Sequence, residues 1–351
     1  MNILVLRYRF IGDTILTVPF LRNLRRAYPE ARIDLMVAPY SSDVLRGIPY
    51  VDEFIVYDPP TIHADSGGRH RSLLSKVRFV SGLRKRKYDK AYVLKRSFSS
   101  AVIAFLAGPR ERIGFDTEGR GFLLTKRIPY RQDQHEVRNF LDVLRADGVP
   151  VVDEHLEAWL TPAESGFAET FLAERGISPG QRIVGIHPFC ANQTRAWHED
   201  NFVETANVLQ ERFGVRILLL GGKRDRQMAE GIAAGIRPAP VAAVGQTDLR
   251  QSMALLSKCS LLICNDSGIM HLGAALNLPL IALFGPQSPV KFGPGGERSR
   301  ILYKRFPCSP CRQKFFEECE PSPRGKPMCM ENITVAEVVD NARAVLAGMA
   351  G

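Results

Sequence analysis

The chain has 351 residues, 45% of them apolar and 24% charged, with a formal net charge of +10. That length suits two domains of ordinary size, and the mixture of apolar and charged residues excludes a disordered chain. No stretch reaches the about 18 uninterrupted apolar residues of a membrane-spanning helix, and seven cysteines, an odd number, argue against a disulfide scaffold.

Met1–Arg7 reads as a buried strand and not as a signal peptide, because no basic segment precedes its short apolar run, so a cytoplasmic location is expected. A strand at Ile3–Leu6 leads into a helical run from Thr14 to Ala27, with further strands at Ile33–Val37 and Phe54–Val56. This alternation predicts a parallel sheet with helices on its faces. Residues 59–72, rich in Pro, Gly, His and Ser, read as a loop. Strands at Ala91–Leu94 and Arg112–Gly114 follow, then a helix over His135–Asp147 that Gly148 and Pro150 end.

The rhythm restarts in the second half. Strands are expected at Arg182–His187, Val215–Leu220, Val241–Val244, Leu261–Cys264 and Leu280–Phe284. Helices are expected at Phe202–Phe213, Arg226–Gly235, Leu249–Lys258, Gly268–Leu276 and Val335–Gly348. The class is therefore α/β, with one domain over residues 1–160, a second over 161–333 and a C-terminal helix over 334–351.

Ligands of open parallel sheets bind beyond the carboxyl ends of the strands. In the second half, Asn265-Asp266-Ser267-Gly268-Ile269-Met270-His271 joins a strand directly to a helix. Free N–H groups there favour phosphate, Gly268 permits close approach, and His271 adds a donor. The plainer reading is that Asp266 or Ser267 only caps the helix. Thr194 and Arg195 offer a hydroxyl and a guanidinium suited to a diphosphate. In the first half, Asp13 stands at a strand-to-helix switch, where it reads either as a helix-end acid or as a general base.

Between Arg69 and Arg96 there are eleven Lys and Arg residues and one acid, Asp89. This stretch is either a solvated face or a collar for a polyanion or an anionic membrane surface. No stacking platform or DNA-binding motif accompanies it, so nucleic acid is not an expected partner. Near the C-terminus, Cys308, Cys311, Cys319 and Cys329 have the count for a tetrahedral thiolate zinc site. The wide spacing of the second pair leaves a disulfide or free thiols as alternatives.

Together these residues resemble the ADP-heptose:lipopolysaccharide heptosyltransferases, glycosyltransferase family nine. The resemblance runs from Ile11-Gly12-Asp13 through Arg195-Ala196-Trp197, Gly221-Gly222 and the Asn265–His271 turn to Leu283-Phe284-Gly285-Pro286 and the four-cysteine segment. It implies a GT-B fold, two Rossmann-like doubly wound domains facing across a cleft, with the acceptor bound by the first half and an ADP-sugar by the second. It also implies inverting transfer of heptose to the lipopolysaccharide inner core without a catalytic metal, at the inner membrane's cytoplasmic face. Asp13 matches the catalytic base. Arg195 stands where the family commonly has Lys, and Asp266, Ser267, Gly268 and His271 match the donor turn. Asp225 is the counterpart of an acid that holds the ribose. The family's acidic acceptor gives Arg69, Arg71, Arg84, Lys85, Arg86 and Lys87 an expected role in acceptor binding. A nucleotide-sugar 2-epimerase and a non-catalytic nucleotide-sugar or glycan-binding module are the alternative readings.

Overall fold

Parallel strands covered on both faces need near-continuous apolar runs, and the first half supplies such runs for its central strands. In the computed structural model, which describes residues 1–59, 68–311, 313, 319 and 322–348, the six strands of this half form one sheet. Its elements in chain order are β1 (Asn2–Leu6), α1 (Ile11–Ile15), α2 (Val18–Ala27), β2 (Arg32–Val37), α3 (Ser41–Val44) and β3 (Glu53–Val56). Then follow α4 (Leu73–Lys85), β4 (Lys90–Val93), α5 (Phe98–Ala107), β5 (Glu111–Phe115), β6 (Lys126–Ile128) and α6 (Glu136–Ala146). The strands pair in parallel in the order β3-β2-β1-β4-β5-β6. Ile3 to Leu6 and Ala91 to Val93 are fully shielded at its centre.

The helix expected over Thr14–Ala27 is two helices. Pro19 opens the second, α2. Proline has no N–H to continue the ladder, so the first helix stops at Ile15 and the chain restarts at Val18. Part of the loop expected over residues 59–72 lies outside the described residues. Arg120, wholly buried, fastens the loop after β4. Its Nε donates to the Phe115 carbonyl at 3.0 Å, and its Nη1 donates to the carbonyls of Lys95 and Ser97 and to Ser100 Oγ.

The second half builds the same pattern. Its elements are α7 (Pro162–Ala173), β7 (Ile183–His187), α8 (Glu199–Phe213), β8 (Arg216–Leu219), α9 (Arg226–Gly235), β9 (Val241–Ala242) and α10 (Leu249–Ser257). After these come β10 (Leu261–Asn265), α11 (Gly268–Ala275), β11 (Leu280–Phe284), α12 (Pro289–Phe292), β12 (Ser299–Tyr303), α13 (Met328–Glu331) and α14 (Val335–Ala347). The order is β12-β11-β10-β7-β8-β9, again all parallel, with β10 and β11 buried along their whole length. Thr161 caps α7 in a reciprocal pair with Glu164, and Pro162 fills its first position. The chain divides into the units Met1–Leu156 and Glu157–Gly351, each with its own core.

Candidate functional site

Each sheet reverses its winding beside its first strand, between β1 and β4 in one unit and between β7 and β10 in the other. Loops leaving the carboxyl ends at such a point diverge to opposite faces of the sheet and open a crevice, where ligands of doubly wound sheets bind. Asp13 falls at the first of these places, and Thr194, Arg195 and the Asn265–His271 turn fall at the second.

In the second unit, Asn265 ends β10 and is fully buried. Its Oδ1 accepts the Trp197 N–H at 3.0 Å, and its Nδ2 donates to the Pro188 carbonyl at 2.7 Å. One side chain thus clamps both ends of the loop that carries Thr194 and Arg195. Trp197 anchors the far end, with its indole N–H donating to the Ile333 carbonyl at 2.8 Å and its ring edge-on to Phe202.

The Thr194 hydroxyl donates to Asn192 Oδ1 at 2.8 Å, which fixes the turn. Arg195 Nη1 lies 3.1 Å from Asp266 Oδ2, and its Nε donates to Gln313 Oε1 at 2.8 Å. Burial pushes the Asp266 carboxyl up to about 6, with Arg195 opposing the rise. Ser267 precedes α11, yet its side chain makes no capping bond, and its hydroxyl oxygen is buried with no hydrogen-bond partner among the described residues. A capping role therefore does not account for Ser267. The first N–H groups of α11 have no intrahelical acceptors, so this end combines free donors, a hydroxyl and an adjacent guanidinium, a set suited to a diphosphate. Gly268 and the buried His271 lie in the first turn of the same helix.

Asp225 lies on the loop after β8. Its Oδ2 accepts the Gly222 N–H at 2.7 Å and closes that turn, and burial raises its pKa. A Cβ on Gly221 would come within 2.6 Å of the Phe189 ring, so glycine is needed there for the two rim loops to approach. Gln313 escaped sequence reasoning. It is 118 residues from the arginine it holds, and no local pattern marks it.

In the first unit, Asp13 is the third residue of α1, and the residue at the helix cap is Phe10. The Asp13 carboxylate is 2.8 Å from Arg7 Nη2 and 21% exposed, while Arg7 is buried under it. Asp13 is thus held from below and open above, as a proton acceptor requires. Lys95 lies close by on the loop after β4, its N–H bonded to the Leu6 carbonyl.

The six cations expected to form one collar do not come together. The Arg69 N–H donates to Asp58 beyond the carboxyl end of β3, and Arg71 is exposed just before α4. The helix then runs antiparallel to the strands for 13 residues, about 20 Å at 1.5 Å per residue. It delivers Arg84, Lys85, Arg86 and Lys87 to the amino ends of β1 to β3, the edge opposite Asp13. There Arg86 pairs with the fully buried Asp34 at 2.9 Å and with Glu53 at 2.5 Å, and the Tyr88 hydroxyl donates to Asp34 at 2.6 Å. Arg86 is part of the fold's own ion-pair network.

Among the described residues no three His, Cys, Asp or Glu side chains are grouped as metal ligands. Cys308 is exposed, Cys311 and Cys319 are half-buried, Cys329 is buried, and no disulfide joins them. Burial, then the neighbouring Cys319, Cys308 and Cys311, push the Cys329 thiol up to about 12, so it is neutral at physiological pH. Cys311 and Gln313 brace the rim. Cys311 N–H donates to the Pro286 carbonyl at 3.0 Å, and Gln313 reaches Arg195.

Residues 76–319 match the family model of glycosyltransferase family 9 (heptosyltransferase). Lipopolysaccharide heptosyltransferase 2 of Escherichia coli K12 is 29% identical over 314 residues, covering 86% of this chain and 88% of that protein. Lipooligosaccharide heptosyltransferase 2 of Haemophilus influenzae is 30% identical over 318 residues, with the same coverage. Among solved structures, a family 9 glycosyl transferase from Veillonella parvula superposes with a TM-score of 0.85 at 24% identity, covering 99% of this chain and 97% of that one. The ADP-heptose heptosyltransferase II of E. coli does so at 0.79 and 24%, over the full length of both chains. These two likenesses are in fold, the GT-B fold with its two doubly wound units.

Proposed function

The chain belongs to glycosyltransferase family 9, and from that membership we propose that it transfers heptose from ADP-heptose to the inner core of lipopolysaccharide. The family favours transfer over the epimerase and binding-module alternatives. The observation that carries the donor assignment is the buried, unpartnered Ser267 hydroxyl at the start of α11, beside the Arg195–Asp266 ion pair.

In this reading the second unit holds the ADP moiety. Arg195, Thr194 and the start of α11 receive the diphosphate, Gly268 lets it approach the backbone, and Asp225 lies where a ribose hydroxyl would be recognised. Asp13, in the first unit, takes the proton of the acceptor hydroxyl as its oxygen attacks the anomeric carbon. The bond from that carbon to the diphosphate breaks, and the charge left on ADP is met by Arg195 and the helix end. Asp13 lies outside the segment that the family model matches, so its role rests on its position. The donor side needs no divalent cation in this scheme, and turnover persists in EDTA.

No helix among the described residues is long and apolar enough to cross a membrane. Contact with the membrane's cytoplasmic face is assigned to the start of α4. Leu73, Leu74 and Val77 are 79%, 59% and 55% exposed, among the exposed cations Arg71, Lys76 and Arg78. Apolar groups bordered by basic ones suit an anionic lipid surface. The deciding experiment for the activity is Asp13→Asn with ADP-heptose and a truncated core acceptor. Turnover falls by about 10²–10⁴-fold, the usual cost of losing a general base, while calorimetric ADP affinity is unchanged. Near-normal turnover removes Asp13 from the reaction.

A further inference from the structure

We infer that Arg9, Lys95 and Arg96 form a recognition site for an anionic group of the acceptor, a carboxylate or a phosphate monoester, beside Asp13. The inference rests on the reading of Asp13 as the group that faces the acceptor.

The first observation is position. These residues leave the carboxyl ends of β1 and β4, the two strands between which the first sheet reverses its winding. Doubly wound units bind ligands at that point, and Asp13 lies there too.

The second is a mismatch of charge. Arg7, Arg9, Lys95, Arg96 and the buried Arg120 bring five cations to this edge. Three carboxylates lie close to them: Asp13 and Glu118 near Lys95, and Glu118 and Asp116 near Arg120. Asp13 is bound to Arg7, and Glu118 accepts the Phe98 N–H at 2.9 Å. Glu136, almost wholly buried, accepts the hydroxyl of Tyr130 at 2.5 Å. Among the described residues no carboxylate forms an ion pair with Arg9, Lys95 or Arg96.

The third is how those cations are held. Arg96 stacks on Tyr130 at 3.9 Å from the ring centre, Arg9 on Phe10 at 4.8 Å, and Lys95 over Tyr8 at 5.1 Å. An aromatic face fixes the direction of a cation without neutralising it. Arg120 pins the loop between them through the Lys95 and Ser97 carbonyls. The positive potential is evident at Lys95, which burial, then Arg9 and Arg7, pull down to about 8. A site built to keep three ordered charges unpaired is prepared for an anion from outside.

The test uses the full-length protein and the variants Arg9→Ser, Lys95→Met and Arg96→Gln, with folding checked by circular dichroism. Arg9 is exposed, so Arg9→Ser keeps the test valid if the others misfold. Three core acceptors are compared: intact, carboxyl-reduced and dephosphorylated. Acceptor binding is titrated calorimetrically without donor, and KM is measured with ADP-heptose. The expected result is a tenfold or greater loss of affinity for the intact acceptor and a matching rise in its KM, with the donor KM unchanged. The loss vanishes for whichever acceptor lacks the bound group, which assigns carboxylate or phosphate. Wild-type affinity in all three variants, or no acceptor binding by the wild type, overturns the site. Binding that depends on these residues without any transfer would leave the site standing and overturn the proposed activity.

Discussion

Asp266→Asn is expected to make the protein more stable and less able to bind ADP. In the folded chain burial lifts the Asp266 carboxyl from the ordinary 3.8 to about 6. The folded state then holds this proton more tightly than the unfolded state, and stability is lost as pH rises from about 4 to about 6. Above that window the ionised carboxylate costs about 3 kcal/mol, taking 1.36 kcal/mol for each pH unit. The figure is an upper value, because Asn also leaves Arg195, a partly exposed side chain, without its partner. For a unit of about 200 residues, 1 kcal/mol moves Tm by about 2–4 °C, so the gain at pH 7.5 is up to about 6–12 °C. It shrinks to under about 1 kcal/mol at pH 4, where the buried carboxyl of the folded chain is protonated and as neutral as asparagine. Tryptophan fluorescence is the assay of choice, since the chain's two tryptophans, Trp159 and Trp197, both lie in the second unit. A difference in Tm that is the same at pH 4.5 and 7.5, or an Asn variant less stable at pH 7.5, refutes the reasoning.

Asn265→Ala removes the partners of the Trp197 N–H and the Pro188 carbonyl, each worth about 1–3 kcal/mol when left unsatisfied, so urea denaturation should show a loss of about 2–6 kcal/mol. Arg86→Met takes from the buried Asp34 one of its two cations, leaving it Arg32, and should cost up to about 3–5 kcal/mol in unfolding followed by circular dichroism. The neighbouring Arg84→Ser and Lys85→Ser, both exposed, should stay within about 0.5 kcal/mol of wild type. Leu73→Ser, Leu74→Ser and Val77→Ser together should weaken sedimentation with anionic vesicles and leave the thermal midpoint unchanged; undiminished vesicle binding would assign the contact to another face.

Long apolar runs made most of the fold legible in advance. The expected helix at Arg226–Gly235 and strand at Leu280–Phe284 have the observed limits, and the two-sided burial of the sheets explains why such runs are unambiguous. What the sequence hid was structure without a burial signature. In α4 only Leu83 is buried, so no apolar periodicity marks the helix. β12, at the sheet edge, is largely open, and β6 is three residues long. The charge count in residues 69–96 was right, but a count has no direction. The unmarked helix separates its two ends and sends Arg86 into an ion-pair network. Of the proposed donor rim, the phosphate-suited turn was visible because its residues are contiguous. The Asn265 clamp and the hold of Gln313 on Arg195 were not, because both join distant segments.

Arg120 has a consequence that does not depend on touching any ligand. Its guanidinium is wholly enclosed and bonded to carbonyls and a hydroxyl, with no carboxylate among those contacts, and it keeps its proton although burial lowers its pKa to about 10. A charge sealed from water is little screened by salt, whereas the exposed cations of α4 are masked beyond about 8–10 Å at physiological ionic strength. Arg120 therefore contributes a standing attraction at the edge bearing Asp13, felt by an anion before any contact forms. Its signature is kinetic: a faster encounter with an acidic acceptor and an association rate that falls less steeply with added salt than exposed lysines alone would give.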